Sequence, residues 1–395
     1  MKTITEQKTL EIRSKCGVLV AGGGIAGIAA ALAAARNGAD VLLLEREYLL
    51  GGLGTAGLVT IYLPLCDGRG HQVSFGIAEE LLRLSILHGA EGKYPSAWLD
   101  GDDPAARERQ RFQVQYNPHF FAMDAERLLR ENGVRILYGT LAADVHRTGA
   151  RIDALIVENK SGRYAIEVEQ SVVDCTGDAD ICALAGEETV RFGQGNVLAA
   201  WYYFLSQSGL HLRALGACDV PENEKTPGRE RQYLTPRRFT GLDGEEISEM
   251  VALSHQQTYR DLLARREKDA SAVPVTLATI PQLRMTRRIA GVRTLDTSDC
   301  GVPFPDSVGM FGDWRRSGPV YHLPFSALYG RMVENLICAG RCISVSDAMW
   351  DITRVIPVCA LSGQGAGTAA AMTGCFSAID LDALRGRLTE SGVRL

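Results

Sequence analysis

Three glycines near the N-terminus have a spacing that suits the binding of a pyrophosphate. They follow the pattern Gly22-x-Gly24-x-x-Gly27, directly after the apolar run 18–21. The first glycine of such a pattern permits a tight turn, the second lets the backbone approach the phosphates, and the third lets a helix pack closely on a strand. The helix N-terminus adds free N–H groups and a positive dipole. An acid, Glu45, ends the next apolar run, where it can accept hydrogen bonds from a ribose.

We expect this unit to hold the adenosine diphosphate half of a dinucleotide. Glu45 disfavours a ribose 2′-phosphate and therefore NADP, whereas FAD and NAD share the glycine pattern. The residues expected to contact the cofactor here are Gly22, Gly24, Ile25, Ala26, Gly27, Glu45 and Arg46.

Two further glycine-rich stretches favour FAD over NAD. The loop 51–57 follows the ribose acid and suits the pyrophosphate and ribityl chain, with Gly52 and Thr55 as expected contacts. Near the C-terminus, the run Gly363-Gln-Gly365-Ala-Gly predicts the start of another helix, with its two named glycines as contacts. A longer, bent cofactor suits these additional loops, so FAD is the expected cofactor.

Hydrophobic periodicity indicates the elements that position these loops. A buried strand over 18–21, a helix over 25–36 capped at 37–38, and a strand over 41–44 make a parallel βαβ unit. A helix over 120–129 follows. Five more strand patterns are present, at 134–138, 143–147, 152–158, 164–169 and 335–339, with a hairpin turn at 159–162 between two of them.

The predicted fold is α/β. It combines a Rossmann-like FAD-binding domain, built on a parallel sheet with a β-hairpin or meander insertion, with a smaller α+β substrate domain. Weaker periodicity and most of the histidines, aromatics and prolines place the substrate domain at 66–119 and 196–324. The FAD-binding domain is then discontinuous, at 1–65, 120–195 and 325–395.

Composition argues against several other classes of protein. The formal charge is −5, the pI is about 5.9, and no basic run is present, so neither nucleic acid nor a membrane is an expected partner. Two uncharged runs, 16–35 and 355–379, are interrupted by glycine or proline and are rich in alanine, unlike membrane anchors. Ten cysteines without a C-x-x-C pair suggest a reducing cytoplasm and no metal site.

With these motifs in place, the sequence resembles bacterial FAD-dependent oxidoreductases of the glutathione-reductase-like superfamily. It is similar to the branch with a Gly-Gly-x-x-Thr-Ala-Gly loop and an Ala-Gly-Arg-Cys-Ile-Ser segment. The matching stretches are spread over nearly the whole chain, at 18–47, 51–59, 76–80, 174–180, 286–291 and 335–367.

The resemblance implies roles for further residues. Val145 or its backbone would face the adenine, Thr176 and Gly177 would close the pyrophosphate side, and the helix after Gly363 would point at the flavin pyrimidine. Reduced flavin carries negative charge there, which a helix N-terminus stabilises.

The late Ala-Gly segment departs from the wider superfamily. Many relatives have an acid after Gly340 that binds the ribityl chain, whereas this sequence has Arg341. The resemblance leaves Asp347, or the backbone alone, to make that contact.

Two absences concern the route of the electrons. No C-x4-C pair is present in the loop after Glu45, and no second complete nucleotide-binding unit follows near the C-terminus. We therefore expect an unidentified, transient electron donor or acceptor.

Candidate catalytic residues adjoin the segments that the resemblance places near the flavin. His322 has a pKa suited to acid–base catalysis, and Tyr321 precedes it. Arg354 interrupts a long uncharged run, so it is expected to bind a substrate anion or the reduced flavin; an ion pair with Asp347 or Asp351 is the alternative. The other candidates are Arg288 with Arg287 as a carboxylate clamp, Trp350, Tyr116 and His119 as cavity lining, and Cys66 as a covalent anchor. For each of them a purely structural role is the competing interpretation.

The leading hypothesis is an enzyme that moves a hydride between a small organic metabolite and FAD. It would oxidise a C–OH or C–N bond or reduce an activated alkene. The alternatives are an RNA-modifying flavoprotein, which the net charge disfavours, and a flavin-binding protein whose FAD is structural. The sequence leaves the substrate and the oligomeric state open.

Overall fold

The computed structural model describes residues 2–216 and 233–395. The strands are β1 (Ile12–Ala21), β2 (Val41–Leu44), β3 (Ile61–Tyr62), β4 (Val114–Gln115), β5 (Arg135–Leu137), β6 (Leu141–Thr148), β7 (Arg151–Asn159), β8 (Gly162–Asp174), β9 (Thr189–Arg191), β10 (Ala200–Ser206), β11 (Gly209–Leu215), β12 (Val273–Leu277), β13 (Arg287–Ile289), β14 (Ser307–Gly312), β15 (Val320–Pro324) and β16 (Leu336–Cys338). The α-helices are α1 (Ile25–Arg36), α2 (Ile77–Ser85), α3 (Ser96–Leu99), α4 (Pro104–Arg109), α5 (Pro118–Glu131), α6 (Asp180–Leu184), α7 (Gly244–Arg266), α8 (Asp347–Thr353), α9 (Ile356–Met372) and α10 (Leu381–Glu390).

A seven-stranded sheet forms the centre of the molecule. Its order is β5-β2-β1-β8-β7-β6, and β16 pairs with the C-terminal end of β8. The strands β5, β2, β1, β8 and β16 are parallel, whereas β6, β7 and β8 form an antiparallel meander. The predicted α/β fold with a meander insertion is therefore confirmed. The predicted strand at 164–169 is part of a longer strand, β8, which belongs to both the parallel and the antiparallel half of the sheet.

Helix α1 has the bounds that the sequence predicted. Asn37 is its C-cap, and Gly38 beyond it has a φ of +86°. Its ten residues from Ile25 to Ala34 are all buried because alanine-rich turns allow close approach on every side. The helix therefore lies in the interior of the molecule.

Helices α1 and α9 cross at glycines. A Cβ atom at Gly363 would clash with the carbonyl oxygen of Ala26, and a Cβ atom at Gly367 would clash with that of Ala30. The prediction that a helix begins near Gly363 is wrong, because α9 begins seven residues earlier, at Ile356. These glycines are needed for helix–helix contact in the middle of α9.

Smaller elements surround this core. The sheet β11-β10-β12 packs against α7, and the hairpin β14-β15 packs against α9 and α10. Helix α2, from the region assigned to the substrate domain, packs on α1, α5 and α9 within the main hydrophobic core. The domain boundaries proposed from the sequence stay a prediction.

The membrane prediction concerned the two uncharged runs. Within the described ranges, no single helix is long and apolar enough to cross a membrane. Helices α8 and α9 reach that length and composition only together, across a bend of 93°.

Replacing Gly367 with alanine is expected to destabilise the protein. The added methyl group meets backbone rather than a flexible side chain, so α1 and α9 must separate, at a cost of about 1–3 kcal/mol. The free energy of unfolding in urea measures this cost. Gly386→Ala in α10 is the matched control: its Cβ atom would meet nothing within 4 Å, so the same change should stabilise the protein by up to about 1 kcal/mol. Equal effects at the two positions would contradict the packing explanation.

Candidate active site

A long, open cleft lies at the carboxyl ends of the parallel strands. It holds about 1460 Å³ of empty space, including its open mouth. Glu45 after β2, Gly22 after β1, Cys175 after β8 and Ala339 after β16 all line it. These four strand ends span three strand spacings, or roughly 14 Å. The cleft is therefore elongated in the direction that a dinucleotide would occupy.

The first glycine turn has a backbone that only glycine allows. Gly22 has a φ of +102°, and a Cβ atom there would lie 2.5 Å from the carbonyl oxygen of Cys175. A Cβ atom at Gly27 would clash with the carbonyl oxygen of Gly22. At Gly24 a Cβ atom would meet nothing within 4 Å, because this residue borders the open cleft. The space in front of Gly24 is thus free for phosphate oxygens.

The N-terminus of α1 is built to receive an anion. Its N-cap is Gly24, no side chain caps it, and its first turn contains no acidic residue. Gly24, Ile25 and Ala26 all line the cleft. Because the first-turn N–H groups lack partners inside a helix, they are free to donate to a pyrophosphate.

Glu45 lies at one end of the cleft. Its Oε2 accepts a hydrogen bond from Gly23 N at 2.8 Å, and its Oε1 accepts one from Glu47 N at 2.8 Å. Burial raises the pKa of the Glu45 carboxyl, and the two backbone hydrogen bonds oppose that rise. A carboxylate has about four acceptor positions, so two bonds leave capacity for a ribose. Arg46 and Glu47 line the same end.

The second glycine loop runs directly beside the first. Gly51 N donates to Gly23 O at 2.8 Å, and Gly51 forms a parallel bridge with Gly24. Gly52 lines the cleft, whereas Thr55 is buried and donates from Oγ1 to Leu50 O at 2.5 Å. Thr55 therefore stabilises the loop from the side that faces the protein interior.

The wall after β8 carries Thr176 and Gly177 into the cleft, together with Asp178 and Asp180. The fully buried carboxylate of Asp174 holds this loop, since it accepts hydrogen bonds from Thr176 Oγ1 at 2.7 Å and from Cys182 N at 3.0 Å. Sequence reasoning missed Asp178 and Asp180. Their position directly after a glycine at a strand end was the available signal.

Asp174, Cys182 and Cys338 place one donor atom each within 4.8 Å of one another. Both oxygens of Asp174 already accept the hydrogen bonds that shape the loop. We therefore interpret this cluster as part of the loop's support.

Arg341 lines the cleft after β16, beside Gly340. One guanidinium nitrogen, Nη1, lies 3.5 Å from Asp178 Oδ1 and donates to Arg284 O at 3.4 Å. Asp347, the residue predicted to replace the missing acid, is the first residue of α8 and does not line the cleft. The acid on this side of the cleft is instead Asp178, which comes from a different segment.

A second helix N-terminus faces the same cleft. Val355 is the N-cap of α9, no side chain caps the helix, and no acid lies in its first turn. Arg354, Val355, Ile356 and Cys359 line the cleft, whereas Gly363 and Gly365 do not. Pro357, in the first turn, was the sequence signal for this helix start.

Strand β6, whose Val145 was expected to face the adenine, contributes other residues to the cleft. Thr140, Leu141 and Ala142, at the start of β6, line the cleft. Val145, three residues further along β6, does not line it and packs partly buried against a second hydrophobic cluster.

Arg354 is the one predicted catalytic residue that the structure brings to the cleft. Its side chain is 6% exposed, and its Nε donates to Asp351 Oδ1 at 3.1 Å. The cleft position and the ion pair, which the sequence offered as alternatives, thus occur together.

The structure places the other catalytic candidates elsewhere. Tyr321 is fully buried on β15 with its ring 5.6 Å from that of Phe311. His322 does not line the cleft; burial and the charge of Arg385 on α10 lower its pKa. Arg288 is buried, its guanidinium 5.6 Å from the centre of the Trp350 ring, and burial lowers its pKa. Of the two residues expected near the flavin, Arg354 lines the cleft and His322 does not.

The remaining candidates support the cleft or lie outside it. Tyr116 donates from its hydroxyl to Gly54 O at 2.8 Å, and Trp350 donates from Nε1 to Arg341 O at 2.6 Å. His119 is exposed at the start of α5. The Cys66 thiol accepts a hydrogen bond from Phe112 N at 3.4 Å in the interior.

The end of the cleft beside Arg354 is mainly apolar. Its described lining includes a second buried arginine, Arg284, whose guanidinium lies 5.4 Å from the centre of the Trp201 ring. Sequence reasoning missed Arg284, because nothing in its local pattern separates it from other arginines. The apolar lining residues in this part are Val59, Ile61, Leu63, Ile280, Pro281, Leu283 and Ile356.

Solved structures with a similar course of the chain include, by their titles, a reductase-like protein, a monooxygenase and a dehydrogenase. One is a geranylgeranyl bacteriochlorophyll reductase-like protein from Thermoplasma acidophilum, 14% identical, covering 96% of this chain and 82% of that one with a TM-score of 0.47. Another is p-nitrophenol 4-monooxygenase from Pseudomonas putida DLL-E4, 13% identical, with 95% and 81% coverage and a TM-score of 0.44. A third is 3-ketosteroid-Δ4-(5α)-dehydrogenase from Rhodococcus jostii RHA1, 15% identical, with 91% and 98% coverage and a TM-score of 0.43.

Comparison by sequence assigns the chain to a family. No curated protein matches it. The model of the family described as FAD dependent oxidoreductase matches residues 17–198 and 210–388, which is most of the chain. The cleft is compatible with that cofactor: it has open space at Gly24, a carboxylate at Glu45 and, at each of two positions, a helix N-terminus without a side-chain cap. The chain belongs to the FAD dependent oxidoreductase family and is a flavoenzyme that uses FAD.

Proposed function

We propose that the adenosine half of FAD binds at Glu45, the pyrophosphate at the N-terminus of α1, and the flavin at the N-terminus of α9. One observation carries this proposal: both uncapped helix N-termini open into one cleft whose far end is apolar. An anion is stabilised at each of these helix ends. Membership of the narrower branch named from the Gly-Gly-x-x-Thr-Ala-Gly and Ala-Gly-Arg-Cys-Ile-Ser motifs remains a prediction.

We further propose that the enzyme transfers a hydride between a small organic metabolite and FAD, and that Arg354 binds an anionic group of that metabolite. Bound FAD supplies the hydride-accepting or hydride-donating chemistry. The guanidinium of Arg354 supplies a planar, permanently charged donor that suits a carboxylate. The apolar lining at Ile61, Ile280 and Leu283 lowers the local polarity, which strengthens that interaction.

Cys359 lines the cleft on α9, with its thiol 3.5 Å from Arg354 O, but it is not suited to act as a general base. Burial raises the pKa of Cys359 to about 12, so the thiol is protonated at neutral pH and cannot accept a proton. The acids that line the cleft include Asp178 and Asp180, and burial raises the pKa of Asp180 to about 6.

Anaerobic addition of a metabolite panel to the FAD-loaded protein tests the proposal. The panel contains 2-hydroxy acids, amino acids and α,β-unsaturated acids, each paired with its neutral amide or ester. Alcohols and amines should bleach the visible flavin band of the oxidised enzyme, and unsaturated acids should restore it after reduction. The acid of a productive pair is expected to react and its neutral partner to react far more slowly. Equal reaction of both partners would exclude Arg354 as the anion site, and no reaction across the panel would count against a small anionic substrate.

A further inference from the structure

A chain of alternating charges leads from the cleft to the surface. Asp351 joins Arg354 and Arg315: its Oδ1 accepts from Arg354 Nε at 3.1 Å, and its Oδ2 lies 3.5 Å from Arg315 Nη1. Asp313 joins Arg315 and Arg316: its Oδ1 accepts from Arg315 Nε at 3.1 Å, and its Oδ2 accepts from Arg316 Nε at 3.2 Å. The two aspartate side chains are completely buried, whereas Arg316 is 61% exposed.

The geometry of this chain connects two separate parts of the fold. Asp351 lies in α8, Arg354 is the C-cap of that helix at the 93° bend into α9, and Arg315 lies in the loop between β14 and β15. A second contact joins the same parts, since Trp314 Nε1 donates to Asp351 O at 2.9 Å. The loop between β14 and β15 therefore contacts α8 next to Arg354, which lines the cleft.

Burial of the two aspartate carboxylates costs free energy. The desolvation free energy of a buried carboxylate is offset only when its charged partners have good geometry. Loss of one partner leaves a buried charge unpaired. Both buried aspartates here contact two arginines each, and Arg315 is shared between them. These contacts restrict the long, flexible Arg354 side chain to few rotamers. Its conformational entropy is therefore already lost before a substrate binds, so binding costs less.

We propose that Asp351 is a positioning residue that holds the Arg354 guanidinium in its cleft orientation, and that Arg315, itself held by Asp313, fixes Asp351. This inference rests on the proposed function of Arg354. It adds three residues to the site, none of which lines the cleft.

The midpoint potential of the bound flavin separates positioning from simple electrostatics. If Asp351 acted only through its own negative charge, Asp351→Asn would make the site more positive and raise the potential. If Asp351 positions Arg354, the same change lets the guanidinium leave the cleft, so reduced flavin loses a nearby cation and the potential falls. The two roles therefore predict opposite signs.

The experiment compares Asp351→Asn, Arg354→Ala and the double variant, each loaded with FAD. We expect both single variants to lower the potential, by about 30 mV for a tenfold loss in the preference for the reduced flavin. The double variant should equal Arg354→Ala, and Asp351→Glu should restore part of the loss. A potential that rises in Asp351→Asn, or a shift that persists in the Arg354→Ala background, would overturn the proposal.

Further variants keep the outcome interpretable. If Asp351→Asn does not fold, Arg315→Gln is expected to lower the potential in the same direction by a smaller amount, and an unchanged potential there would reject the proposal. Asp261→Asn is the matched control. Asp261 also pairs with two arginines, Arg213 and Arg265, but lies on α7 outside the cleft, so only the melting temperature should change. An unchanged potential in Arg354→Ala would reject the proposed function as well, whereas a fall there without one in Asp351→Asn rejects positioning alone.

Discussion

Replacement of Glu45 with arginine should give a folded protein that no longer retains FAD. The change removes a carboxylate that accepts hydrogen bonds from Gly23 N and Glu47 N and places a bulky cation at the adenosine end of the cleft. Each charge-assisted hydrogen bond contributes about 1.5–3 kcal/mol, so the loss of two bonds from Glu45 to the ribose would weaken FAD binding by roughly 100-fold or more. The FAD-to-protein ratio after gel filtration, and titration of the apoprotein with FAD, measure the effect.

Glu45→Gln is the control for shape. The amide keeps one acceptor oxygen and nearly the same volume, so this variant should bind FAD more weakly than the wild type but much better than the arginine variant. Undiminished FAD affinity in Glu45→Arg would mean that another residue holds the ribose.

Arg354→Ala should retain FAD but react poorly with an anionic substrate found in the metabolite panel. A desolvated carboxylate that loses its charged partner costs about 2–5 kcal/mol, equivalent to a decrease in kcat/KM of about 30-fold to several thousand-fold. Stopped-flow measurement of flavin reduction gives this value. The neutral ester of the same substrate should lose much less, because it never paired with the guanidinium.

Two candidates from the sequence serve as controls for this experiment. Arg288→Ala also removes a buried guanidinium, but one that packs on Trp350 outside the cleft, so it should lower stability and leave kcat/KM almost unchanged. His322→Gln should likewise preserve the pH profile of flavin reduction. If either variant matches the loss in Arg354→Ala, the assignment of the anion site to Arg354 is wrong.

The cofactor half of the site was predictable because its signals are local. The turn at Gly22, the helix from Ile25 and the strand ending before Glu45 each depend on residues a few positions apart. Backbone conformation and strand or helix periodicity operate over that distance. The same reasoning placed the meander strands β6, β7 and β8 with small errors at their ends.

The glycines near the C-terminus show where a local signal has two explanations. Gly363 and Gly365 were interpreted as a helix start, but glycine also occurs inside helices where another helix approaches closely. Only the contact between α9 and α1 distinguishes the two cases, and that contact joins residues more than 300 positions apart. The uncapped N-terminus at Val355 faces the cleft because this packing fixes the direction of α9.

The sequence by itself determined the class of cofactor, the α/β fold and the adenosine end of the cleft, because short motifs specify the backbone conformation that these features need. Tertiary structure decided the substrate end. It brought Arg284 and Asp178 to the cleft, placed Tyr321 and His322 on a hairpin away from it, and paired Arg354 with Asp351. The physical reason is that such side chains come from distant segments. Their meeting depends on how helices and sheets pack, and local residue patterns do not specify that packing.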